Sequence, residues 1–172
     1  MPAAICLLIG SKEITSALFG YGSFDEQSVN NSAIALFYFS IGLPAFSMIK
    51  IFSSFLFARD NTKIPFYFSL VSVIINISVS LSLFDKVGFI IIPIATSFSS
   101  WVNAIILFVY IYNKKYFSFR TGAFSIYLRM LLSSILSSIL FFNLIKFFNN
   151  YLVYESDYKL LFVITLVLLT FV

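Results

Sequence analysis

The sequence predicts an all-α protein, a polytopic transmembrane helix bundle of about six membrane helices, on three observations. Only 10% of the 172 residues are charged and 60% are apolar, whereas a soluble domain carries roughly 25% charge to keep its surface wet. The few charges are segregated, leaving uncharged runs at 27–49, 64–84, 87–113 and 130–145. About 20 apolar residues at about 1.5 Å each cross a hydrocarbon layer of ~30 Å. Finally, the runs are continuous and do not alternate at period two, which favours helices over a membrane barrel. A mean hydropathy of +1.01 agrees.

Six hydrophobic segments follow in order: 1–20, 30–57, 64–84, 88–112, 123–148 and 160–172. Gly20-Tyr21-Gly22-Ser23 and Asp25-Glu26 end the first. Arg59-Asp60-Asn61-Thr62-Lys63 separates the second from the third, and Pro65 suits the first turn of a new helix. Asp85-Lys86-Val87-Gly88 reads as a tight turn in which Gly88 takes a positive φ. Asn113-Lys114-Lys115 through Gly122 is the most basic connection, and Asn149-Asn150 to Lys159 is the longest polar one. Links this short make successive helices antiparallel neighbours.

Lysine and arginine counts orient the bundle. One side receives Arg59, Lys63, Lys114, Lys115 and Arg120, with Arg129 close by; the other receives Lys12, Lys86 and Lys159, with Lys146 nearby. The richer side is expected in the cytoplasm. The first and last segments are short for spans. The 13 residues from 160 to 172 cover about 20 Å of a ~30 Å core. The expectation is a fragment of a larger transporter-like protein, truncated at both ends.

Composition excludes several chemistries. With no histidine and one cysteine, Cys6, there is no cysteine–histidine metal site, no histidine-assisted nucleophile and no internal disulfide. No carboxylate lies inside a span, which sets an intramembrane enzyme last. The net charge of +4 follows from membrane orientation and calls for no nucleic acid.

Lys50 stands inside the second segment, where a central cation costs roughly 2.5–3.5 kcal/mol. It either faces a polar cavity and attracts an anionic group, or snorkels to the headgroups. Gly42 and Pro44 interrupt the same helix, and Pro44 should kink it, as a hinge or as an ordinary membrane-helix proline. Ser72, Asn76 and Ser80 share a face of the third segment. Thr96, Ser97, Ser100 and Asn103 line the fourth, beside Pro93. Two such stripes serve either interhelical packing or an oxygen-lined cation site, with packing preferred. Ser133-Ser134 and Ser137-Ser138 form a close-packing face on the fifth segment. Trp101, Tyr110, Tyr112 and Tyr116 are interface anchors or packing groups.

These residues also carry a family pattern. Leu18-Phe19-Gly20-Tyr21-Gly22-Ser23-Phe24 resembles the LF-x-x-G-x-F element of the MurJ (MviN) lipid II flippase family. Tyr38, Gly42-Leu43-Pro44-Ala45-Phe46 and Lys50 follow in the order of its Y-x-x-GLxxF-x-x-x-K stretch. Phe57-Ala58-Arg59-Asp60-Asn61-Thr62-Lys63-Ile64-Pro65 is similar to its FYAR-x-DT-x-TP connection, with a one-residue shift around Asn61. Pro2-Ala3-Ala4 and Glu13-Ile14 resemble the preceding helix, Ile14 standing where the family has proline. The resemblance covers 2–120, and 121–172 follows by hydropathy as two further membrane helices.

The resemblance implies the C-terminal part, helices nine to fourteen, of a fourteen-helix transporter in the multidrug/oligosaccharidyl-lipid/polysaccharide exporter superfamily. It implies translocation of the lipid-linked peptidoglycan precursor across the bacterial inner membrane by alternating access, with membrane lipids as further partners. Lys50, Arg59, Asp60 and Pro44 are then the substrate-binding or gating candidates. Asn76 and Thr96 match helices that hold a sodium ion in some members, with Ser80 where a carboxylate would help. No cofactor is implied beyond sodium or the membrane potential as a driving force. The alternatives are a related exporter of drugs or lipid-linked O-antigen, and a non-transporting membrane scaffold.

Overall fold

The computed structural model describes residues 2–116, 123–147 and 159–171. Its helices are α1 (Pro2–Ile9), α2 (Ser11–Phe19), α3 (Glu26–Phe57), α4 (Lys63–Val87), α5 (Ile91–Asn113), α6 (Ala123–Phe147) and α7 (Lys159–Phe171), with a 3-10 turn at Gly88–Ile90. No strand occurs among the described residues. Glu26–Phe57, Lys63–Asn113 and Leu128–Phe147 are long and apolar enough to cross a membrane, the second being α4 and α5 together. Helices are the economical solution there, because each satisfies its own backbone where no water can. Outward-facing Phe66 and Leu81, 63% and 73% exposed, suit a lipid or another apolar surface and not water. The chain is a polytopic helical membrane bundle.

Two expected boundaries move. The first segment is broken at Gly10, whose φ of −96° and ψ of 18° leave the helical region. A Cβ at Gly10 would stand 2.8 Å from the Phe141 ring, so the close seat of that ring requires glycine. The expected turn at 85–88 shrinks to one residue. Asp85 to Val87 stay helical and Gly88 alone reverses the chain at φ 73°. Pro65 does lie in the first turn of α4.

The chain groups into two compact units, Met1–Ser40 with Thr121–Val172 and Ile41–Arg120. In the first, α1 packs on α6, and α7 on α6, α1 and α2. Cys6, Phe141 and Leu166 form one buried cluster, and Ala17 with Val163 another. Ser134 and Ser138 are buried on α6 and donate to Met130 O and Ile135 O of their own helix. With their hydroxyls satisfied locally, they act as small residues in the packing, whereas Ser133 is exposed and Ser137 half-buried, so only half of the expected serine face is buried.

The second unit is built on α5. Its buried positions include Ala95, Ser99, Asn103, Leu107 and Ile111. α4 packs along it, and Leu56 of α3 closes a cluster with Leu107 and Ile111. At Gly42 α3 comes close to α5: a Cβ there would meet Ser97 Oγ at 2.7 Å and Ser97 Cα at 3.2 Å. Beside it the Trp101 indole N–H donates to Ile41 O at 3.0 Å. Trp101 is therefore a link between helices.

Asp25 caps α3, its Oδ1 accepting the Ser28 backbone N–H at 2.9 Å. The hydrogen bonds from Ser28 hold its carboxyl below the usual carboxylate range. A depressed folded pKa adds stability that is complete above the unfolded value and disappears as pH falls through the folded one. Asp25→Ala should therefore lower the unfolding temperature at neutral pH. The gap from wild type should close on acidification below the ordinary aspartate range, as measured by thermal scans across a pH series.

Candidate functional site

The polar residues of the second unit collect in a groove of about 320 Å³ that α3, α4 and α5 line together. Phe46 and Ile49 form the α3 side, and Val73 and Ile77 belong to the α4 side. Between them lie Ser72 and Asn76 from α4 with Thr96, Ser99, Ser100 and Asn103 from α5. The spacing explains this. Ser72 and Asn76 are one turn apart on α4, as are Thr96, Ser99 and Ser100 and then Asn103 on α5, so each helix presents one polar stripe.

The stripes meet as a hydrogen-bonded seam. Asn76 Nδ2 donates to Thr96 Oγ1 at 3.1 Å and to Ser99 Oγ at 3.2 Å. Ser72 Oγ donates to Ser99 O at 2.8 Å, and Ser80 Oγ to Asn76 Oδ1 at 3.5 Å. Thr96 and Ser100 also return hydroxyls to their own helix, at Ile92 O and Thr96 O. Asn103 differs. It is 5% exposed and its Oδ1 has no hydrogen-bond partner. An unmet buried acceptor of this kind costs about 1–3 kcal/mol.

The seam brings Asn76 and Thr96 together, yet Asn76 turns N–H donors toward α5. A hard cation needs oxygens there, and no carboxylate lines the groove. As arranged, Asn76, Thr96 and Ser99 join α4 to α5 by interhelical hydrogen bonds. Ser99, which accepts from Asn76 and offers its carbonyl to Ser72, escaped the sequence reading, although it follows Thr96 by three residues on the same face.

The remaining candidates lie along α3 and at its end. Pro44 sits inside α3, one turn past the carbonyl of Ser40 that it cannot serve. Lys50 is exposed on α3, seven residues before Phe57, and is not part of the groove lining. Arg59 and Asp60 belong to a helix cap. At the end of α3, Asp60 N–H reaches Phe57 O and Asn61 N–H reaches Leu56 O, both at 3.0 Å. The end of α5 repeats this, with Lys115 N–H on Tyr112 O at 2.9 Å and Tyr116 N–H on Ile111 O at 3.2 Å.

Both are Schellman motifs, whose left-handed position is usually glycine. Here the positions hold Asp60 at φ 56° and Lys115 at φ 55°. Aspartate tolerates that conformation, whereas for lysine it costs roughly 1–2 kcal/mol. The two caps adjoin: Arg59 Cζ lies 4.8 Å from the Phe55 ring centroid and 4.2 Å from that of Tyr116. Asn61 links the same end to α5 and α4, donating to Tyr110 Oη and accepting from Ile64 N–H, each at 3.4 Å.

If Asn76 serves packing, Asn76→Ala should destabilise the protein by about 0.6–1.7 kcal/mol, the range of membrane interhelical hydrogen bonds. The unfolding temperature should be the same in sodium and potassium chloride. A sodium-specific stabilisation that Asn76→Ala abolishes would establish a cation site instead.

Comparison with known proteins places this architecture. The family model described as "Lipid II flippase MurJ" matches residues 1–163. A Rickettsia prowazekii protein named "Probable lipid II flippase MurJ" is 32% identical over 161 residues, which make up 94% of this chain and 31% of that protein. Proteins of the same name from Rhizobium meliloti and Thermotoga maritima are 39% identical over 108 residues and 37% over 99. These cover 63% and 58% of this chain and 20% and 21% of the relatives, so the chain spans about a third or less of each of the three. With the match running through both units, the chain belongs to the lipid II flippase MurJ family.

Proposed function

We propose that this chain is part of a flippase that carries lipid II, the lipid-linked peptidoglycan precursor, across the bacterial inner membrane. It acts as a transporter and not as an enzyme. The observation that supports the reading best is the extent of the family match, which runs over residues 1–163 and does not rest on one motif. The composition agrees, since a chain without histidine or an intramembrane carboxylate offers binding and movement and little to react with.

Transport in this reading is alternating access, one lobe rocking against the other around a cationic cavity that receives the pyrophosphate. Two features of α3 suit it. Lys50 is a cation in an otherwise uncharged stretch, held within about 10 Å of the helix end and free of any ion pair among the described residues. Pro44 weakens the helix one and a half turns earlier, where a bend can redirect Lys50. The seam of Asn76 with Thr96 and Ser99 keeps α4 and α5 moving as one body. A membrane potential is the driving force most compatible with a groove that lacks carboxylates.

The test is a chimera in which this chain replaces the matching segment of the Rickettsia prowazekii protein, expressed in cells depleted of their own lipid II flippase. The chimera should restore growth, and Lys50→Ala at equal abundance should reduce rescue severely. A chimera that inserts and accumulates normally but never rescues would overturn the flippase reading. Full rescue by Lys50→Ala would remove Lys50 from it.

A further inference from the structure

The adjoining ends of α3 and α5 carry more positive charge than their backbone favours. Lys115 occupies a left-handed position at φ 55° that glycine would take without strain. Lys63 begins α4, where the helix dipole disfavours a cation. Arg59 and Lys114 stand at the two C-caps. A helix dipole alone would account for that pair, but not for Lys63 or for the strain at Lys115.

Arg59 is also held in place without being satisfied. Its guanidinium carbon lies 4.8 Å and 4.2 Å from two ring centroids that are themselves 6.4 Å apart. These distances put it in the corner between Phe55 and Tyr116 and rule out a sandwich between parallel rings. Aromatic faces attract a guanidinium but accept none of its five N–H donors in the plane. No ion pair engages it among the described residues, Asp60 included. The side chain is exposed, so its fork is oriented by the rings and open to an anion. Tyr116, whose ring contacts Arg59, directly follows Lys114 and Lys115 in the chain, so the three cations belong to the same adjoining helix ends.

We infer that Arg59, Lys114 and Lys115 form a binding site for the phosphate group of an anionic membrane lipid. A planar fork beside two point charges matches a phosphate's oxygens. The source is a lipid because two apolar helices end at the site, and cations flanking such ends meet anionic headgroups. The exposed apolar rims of both helices, Phe57 at 50% and Tyr112 at 55%, would meet the acyl chains of the same molecule. The inference stands apart from the transport reading, since a non-transporting chain could hold the same lipid.

The experiment is native mass spectrometry of the purified full chain, titrated with phosphatidylglycerol, with phosphatidylcholine and with inorganic phosphate, alongside thermal scans in each. Wild type should retain phosphatidylglycerol preferentially, and Arg59→Gln should weaken retention about tenfold. Lys115→Gly supplies the second readout. It should raise the unfolding temperature in phosphatidylcholine, by relieving the left-handed strain, while lowering phosphatidylglycerol retention severalfold. Unchanged retention in both folded variants would overturn the site. Equal protection by inorganic phosphate would overturn the lipid as its occupant. A Lys115→Gly chain less stable than wild type would overturn the view that the lysine is held for its charge.

Discussion

The hydrogen bond from the Trp101 indole to the Ile41 carbonyl, 3.0 Å long, marks the crossing on which the second unit depends. Lipid tails are as apolar as the side chains they touch, so membrane helices gain little by hiding from them. They associate through close packing and hydrogen bonds. At this crossing both operate together. Gly42 lets the α3 backbone come within contact of Ser97, and that approach brings Ile41 O within reach of the indole. Pro44 lies in the following turn, where its missing N–H already loosens the α3 ladder. The carbonyl that Pro44 leaves unserved is that of Ser40, and the indole adds a donor at the adjacent carbonyl of Ile41.

Once α3 is seated, α5 has its two working sides defined. One faces α3 through Ser97, Trp101, Leu107 and Ile111; the other faces α4 through Thr96, Ser99 and Ser100. The seam with α4 is a ladder in which each hydroxyl or amide finds a partner, while Asn103 is left over with its oxygen unpaired. The charged groups are kept out of this interior and gathered at the helix ends. There the Schellman caps satisfy the last carbonyls and free the side chains of Arg59, Lys114 and Lys115 for other contacts.

Much of this was legible in the sequence, and the reasons differ by feature. Uncharged runs bounded by charges located α3 to α6, because the length of an apolar run is fixed by bilayer thickness. Spacings of three and four residues put Ser72 and Asn76 on one face of α4 and Thr96 and Ser100 on one face of α5, since helical period alone decides this. The need for glycine at position 10 was not legible: the ring that crowds it, Phe141, is 131 residues away in the chain, and only the fold brings that ring near. Asp85 to Val87 looked like a turn because Asp85 and Lys86 are charged and Gly88 follows, yet a single positive φ at Gly88 suffices. The caps were hidden for the opposite reason. Their left-handed positions hold Asp60 and Lys115, and a rule that looks for glycine passes over both. Trp101 read as an anchor or packing group because composition cannot reveal which carbonyl an indole reaches.

The central structural claim is that Gly42 and Trp101 act as one contact, and a double-mutant cycle tests it. Gly42→Val, Trp101→Phe and the double variant would be unfolded in bicelles and their free energies compared. If separating the helices at Gly42 already removes the indole bond, the two changes should be non-additive, with a coupling of at least about 0.5 kcal/mol. Additivity within about 0.3 kcal/mol would mean that the residues act independently, and would contradict the crossing as the element that holds α3 to α5.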